Sequence, residues 1–183
     1  KYIILNIFPQ FKYSERLKII NSLDKNLVNH YDKHLILAAL MLDGSNDYEY
    51  FCHKYKTSGE IMSRLKNIST NLDELKNKKF YSRDNIKRLI YFLSKNYTKD
   101  LLLFSVLINK KVLFSEIEEL THFVNDCETP KFPISGDYLK KYGYKSGPKL
   151  GKKLKSLEED WANNNFVIEQ SLIDKSLGKP DKN

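Results

Sequence analysis

Apolar residues recur at spacings of three and four along almost the whole of this chain, and strict alternation never lasts long enough for a convincing strand. That periodicity predicts an all-α protein, an antiparallel helical body followed by a small basic helical-hairpin tail. Ser14 to Leu23 reads as a first helix, and Lys25 to Leu42 as a longer one with Leu27, Tyr31, Leu35, Ala38, Ala39 and Leu42 on one face. Gly44-Ser45-Asn46 ends it and opens the next, Asp47 to Lys56. Thr57 and Glu60 have capping-box spacing ahead of Ile61, Met62 and Leu65, which are expected to turn inward. Ser82 is placed to cap Arg83 to Lys95, and Thr98 to cap a helix ending near Asn109. Ser115 and Glu118 form a second capping box before Ile117, Leu120, Phe123 and Val124. Short polar connections between these segments imply antiparallel neighbours.

Pro130 and Pro133 flank Lys131-Phe132 just beyond the last of these helices and mark a boundary. We divide the chain there into a helical body, 1–128, a basic tail, 129–168, and an extension, 169–183, expected to be partly disordered. In the tail, Ser135 can cap a short helix that Gly143 terminates. Ser146-Gly147-Pro148 can start another, because proline suits a first helical turn. That second helix sets Leu150, Leu154, Leu157 and Trp161 along one side and Lys149, Lys152, Lys153 and Lys155 along the other.

Charge singles out the same region. The segment from Lys131 to Lys155 holds eight lysines against one acid, Asp137, which places +7 of the chain's net +8 in one short stretch. Four of the seven glycines, Gly136, Gly143, Gly147 and Gly151, lie there too. Clustered lysines beside turns that expose backbone N–H groups suit a polyanion. Lys140, Lys141, Lys145, Lys149, Lys152 and Lys153 are the expected phosphate partners, with amide donors from Ser146, Gly147 and Lys149. Arg83, Lys87 and Arg88 make a second basic cluster on a body helix. Tyr142 and Tyr144 flank Gly143 and could stack on a base or pack the hairpin.

The tail residues carry a resemblance. Phe132-Pro133, Gly136-Asp137, Leu139, Gly143, Gly147-Pro148, Leu150-Gly151 and Leu154, continuing through Leu157 and Trp161 to Asn165-Phe166, resemble the C-terminal signature of class II tRNA nucleotidyltransferases, the CCA-adding enzymes, and of the related bacterial poly(A) polymerases. A second stretch, RLIYFLSKNYTKDLLLFSVL from Arg88 to Leu107, is similar to helices of that family's body, with Ser94 standing where the family has glycine. The resemblance implies a body and tail that grip tRNA for a nucleotidyltransferase head, fused N-terminally or carried on a separate chain. It also implies that Mg2+ and CTP or ATP belong to that head rather than to this chain.

The head's chemistry needs closely spaced carboxylates, and no two aspartates here are two residues apart. The chain is therefore expected to hold no catalytic residues and to be inactive alone. Gly44-Ser45 followed by Asp47 reads as an interhelical turn. Glu159-Asp160 is followed by Asn163 where the family's nucleotide-reading motif has arginine. His30 and His34 at i,i+4 with Asp32 between them lack a third metal ligand, and Cys52 beside His53 points in a different direction on a helix. Two cysteines without metal-like spacing suggest a reduced, cytoplasmic setting. The longest apolar run, Leu101 to Ile108, is far short of the roughly 18 residues of a membrane span and reads as core. The opening KYIILNIFPQF lacks a cleavage pattern and an initiator Met, so the chain is expected to be a fragment.

Two other readings compete. One is a helix-hairpin-helix-like module that holds DNA non-specifically. The other is a protein-binding helical adaptor that docks through Tyr2 to Phe11.

Overall fold

A computed structural model describes residues 7–168 and 173. Among them are ten α-helices, two 3₁₀ turns and no strand, so the protein is all-α. The chain divides into two compact units, Lys1–Cys127 and Glu128–Asn183. Apart from Ile173, the C-terminal extension lies outside the described residues, as does the start of the Tyr2–Phe11 segment.

The first unit comprises α1 (Arg16–Ser22), α2 (Lys25–Val28), α3 (Lys33–Met41), α4 (Asp47–Lys54), α5 (Gly59–Asn71), 3₁₀ turns at Glu74–Lys76 and Lys78–Tyr81, α6 (Arg83–Leu93), α7 (Lys95–Ile108) and α8 (Phe114–Asp126). The core runs along α7, whose residues from Asp100 to Leu107 are all buried and which packs on α5, α6 and α8. Full burial of the leucines on such a helix contributes roughly 1.5–3 kcal/mol each.

Several helix boundaries differ from the sequence expectation, each for a local reason. Lys25 to Leu42 is not one helix. The Asp32 carboxylate accepts from the amides of His34 and Leu35, starts α3 afresh and breaks the run after α2. Leu27, Tyr31, Leu35, Ala38, Ala39 and Leu42 are nevertheless all buried, and the Tyr31 hydroxyl donates to the Leu103 carbonyl at 2.8 Å. Thr57 does not cap α5. After α4 the chain turns through Lys56 at φ +49°, and the Thr57 amide bonds back to the Cys52 carbonyl. The extended residue that can cap is thus Ser58, which accepts from the Ile61 amide. Met62 lies on the exposed side of that helix.

Thr98 is likewise inside α7 rather than at its start. The reversal between α6 and α7 is made by the single residue Ser94 at φ +94°, and the Thr98 hydroxyl donates to the Ser94 carbonyl. Ser115 and Glu118 do not cap α8, because the turn after α7 ends at Leu113 and the helix is already under way at Phe114. Ser82 does cap α6, accepting from the Asn85 amide.

The second unit contains α9 (Gly136–Lys140) and α10 (Pro148–Asn163), packed as a hairpin. Ser135 caps α9 by accepting from the Tyr138 amide, and Gly143 at φ +85° follows the helix. The hairpin core is Ile134, Leu139, Leu157 and Ile173, with Leu150 and Leu154 partly buried against it. Trp161 is buried beside Phe132 and Phe166, at ring-centre distances of 5.2 and 4.9 Å.

Candidate nucleic-acid interface

Helix α10 begins at Gly147, whose φ of +142° only glycine adopts readily, and continues through Pro148 at the first helical position. No side chain caps this start and no acid occupies its first turn, so the first-turn amides meet no acceptor side chain. Lys149 and Lys152 are exposed on the following turns, and Lys141, Lys145 and Ser146 are exposed on the preceding loop.

Other residues expected at the interface are placed differently. Lys140 is engaged with Asp137 at 2.8 Å, and that pair holds the Asp137 carboxyl below its usual range. Lys153 is half-buried and makes a contact within the chain. Lys155 lies 3.9 Å from Glu159. Tyr142 and Tyr144 pack the hairpin core, and the Tyr142 and Tyr138 hydroxyls are 3.1 Å apart.

The second basic cluster makes contacts at the surface of the body. Arg83 pairs with Glu119 at 2.5 Å and covers the Phe123 ring, and Arg88 donates to Asn85. Lys87 is half-buried. The lysines at the start of α10 are thus open, whereas at α6 Arg83 makes a surface ion pair in which both side chains stay more than half exposed.

Gly151 stands out for the opposite reason to Gly147. It lies inside α10 with ordinary helical geometry, is exposed, and a Cβ built on it would meet nothing within 4 Å. Folding alone does not require glycine there, and it costs about 0.5–1 kcal/mol relative to alanine.

One side chain that the sequence did not single out organises the body. Arg64 donates through Nε and Nη2 to both oxygens of buried Asp100, at 2.8 and 2.7 Å, and through Nη1 to Asp32 at 2.6 Å. The same Nη1 lies 3.1 Å from His34 Nδ1. Burial raises the Asp100 pKa although Arg64 opposes it, and the Asp100 carboxylate in turn raises that of Arg64. His34 and Asp32 are thus parts of a structural network. Among the described residues no three His, Cys, Asp or Glu side chains are grouped as metal ligands. Cys52 and Cys127 are both buried. No described helix is long and apolar enough to cross a membrane.

At the start of the body, Phe8 stacks on Phe11 at 4.9 Å and lies 5.4 Å from the Tyr55 ring, so both phenylalanines are partly buried against the core. Of the described apolar side chains in that segment, Ile7, at 56%, and Pro9 are exposed. This all-α protein with a basic helical hairpin matches no family model, no curated protein and no solved structure.

Proposed function

We propose that this chain is a tRNA-binding C-terminal portion of a CCA-adding or poly(A) polymerase-like protein, which positions the tRNA 3′ end for nucleotide addition by a head domain outside this sequence. The observation that carries the reading is the direction of charge along α10. Lys149, Lys152, Lys153 and Lys155 occupy its N-terminal half, and Glu158, Glu159 and Asp160 its C-terminal half. Of these only Lys149 lies in the first turn, where the helix macrodipole disfavours a base by about 0.3–1 kcal/mol. Lys149 and Lys152 pair with no carboxylate among the described residues, whereas Lys153 and Lys155 have contacts within the chain, and open lysines at a helix start suit an external anion.

Two further features support it. Gly151 leaves the backbone of the lysine-bearing turns open to close approach. Ser94 stands where the resembling family has glycine, and its backbone takes a positive φ. Lysines act as point charges, so the surface would position RNA by its phosphates and leave base identity unread. Mg2+ and CTP or ATP would be bound by the head, the chain alone would be inactive, and the cytoplasm would be its place of action.

The test is the double variant Lys149→Glu/Lys152→Glu in the full chain. Acids near the start of α10 complement its dipole, so the tail's thermal transition should rise while tRNA affinity falls by about tenfold or more. Unchanged affinity would remove the tail from the function.

A further inference from the structure

Asn109, just past α7, ties together two lysine-bearing segments of the body that are distant in sequence. Its Nδ2 donates to the Leu75 carbonyl at 3.1 Å and to the Tyr81 hydroxyl at 3.4 Å, and that hydroxyl donates to the same carbonyl at 2.6 Å. The turn after Asn109 is closed from the other side, where the Lys111 amide donates to its side-chain oxygen and the Val112 amide to its carbonyl. Lys78 and Lys79 lie between Leu75 and Tyr81, and Lys110 and Lys111 directly follow Asn109. All four are exposed, and among the described residues none of their ammonium groups pairs with a carboxylate.

The local acids do not offset them. Asp73 is held by Lys76 at 2.7 Å, which leaves Glu74 and Glu116 against the four lysines. Two acids against four lysines leave this hydrogen-bonded turn pair with a net positive charge. Counterions neutralise such an exposed surface in water, and a polyanion that displaces them gains the free energy of their release.

We propose that this end of the body, formed by Lys78, Lys79, Lys110 and Lys111, is a second phosphodiester-binding surface, separate in sequence from the tail lysines and from Arg83, Lys87 and Arg88. The inference rests on the tRNA-binding reading and deepens it, because it assigns the body its own share of the RNA backbone. Each lysine is available to one phosphate, and the surface adds affinity and register without sequence preference.

Lysine acetylation footprinting of the full chain, with and without a tRNA transcript, tests it by mass spectrometry. Lys78, Lys79, Lys110 and Lys111 should lose labelling several-fold in the complex, while exposed Lys66 should not change. In parallel, Lys110→Glu/Lys111→Glu should lower the slope of log affinity against log salt by roughly 1.5. Protection of the tail lysines with the body four unchanged would overturn the inference and leave the tRNA reading standing. Absence of protection at both surfaces would overturn both. Protection of the body four by phosphatidylserine-containing vesicles, and not by tRNA, would overturn it in favour of a membrane surface, to which the neighbouring exposed Leu113 and Phe114 would contribute.

Discussion

Ser94 holds φ +94° and ψ 162°, a region that glycine occupies freely and other residues enter at a cost of about 1–3 kcal/mol. Its side chain is exposed and caps nothing, so the strain comes from the one-residue reversal that joins α6 to α7. Ser94→Gly should therefore stabilise the body by about 1 kcal/mol after allowing for the extra freedom of glycine in the unfolded chain. Chemical denaturation of the two proteins side by side measures it, and a destabilised variant would mean that the hydroxyl has an unrecognised role. Arg64 and Asp100 show why some residues escape a reading from sequence. Each sits in an ordinary helical pattern, and only the packing of α5 on α7 makes them a buried bidentate pair. Arg83 shows the same limit, since its surface partner Glu119 lies in a helix that sequence spacing does not connect to it.

Helices were legible in the sequence as apolar faces more than as boundaries. The face from Leu27 to Leu42 is buried throughout although Asp32 splits its helix, because burial depends on where side chains point and the new helix resumes in phase. Caps were legible where the preceding chain is extended, as at Ser82 and Ser135. They failed where an unforeseen turn shifted the start, as at Ser58, Ser94 and Leu113. The start of α10 was read correctly because Gly147-Pro148 leaves few alternatives. What the sequence did not reveal was which lysines remain open there, since Lys140 and Lys153 are engaged and Lys149 and Lys152 are not. Gly151 gives this element its own prediction. Gly151→Ala should raise the stability of the tail hairpin by about 0.5–1 kcal/mol and weaken tRNA binding, as read by thermal melts and anisotropy on the same protein. Stabilisation without weaker binding would show that the RNA backbone does not approach this turn.

On the scale of the whole molecule, the first unit is a helical body with a long buried α7, and the second a small hairpin whose core is a handful of residues. Most of the compact-state energy lies in the body, whereas most of the excess charge lies between Lys131 and Lys155. The proposed polyanion surface of the tail thus lies where packing contributes least, and charge changes in the tail should leave the body folded. The most direct test of the central claim is the binding of the full chain to a tRNA transcript lacking CCA and to duplex DNA of matched charge, across a salt series around 0.1 M. The account predicts preference for tRNA, with a log–log slope of several phosphates at about 0.7–0.9 each. Equal affinity for both would contradict it and leave a generic polyanion clamp, and no binding to either would point to a protein partner.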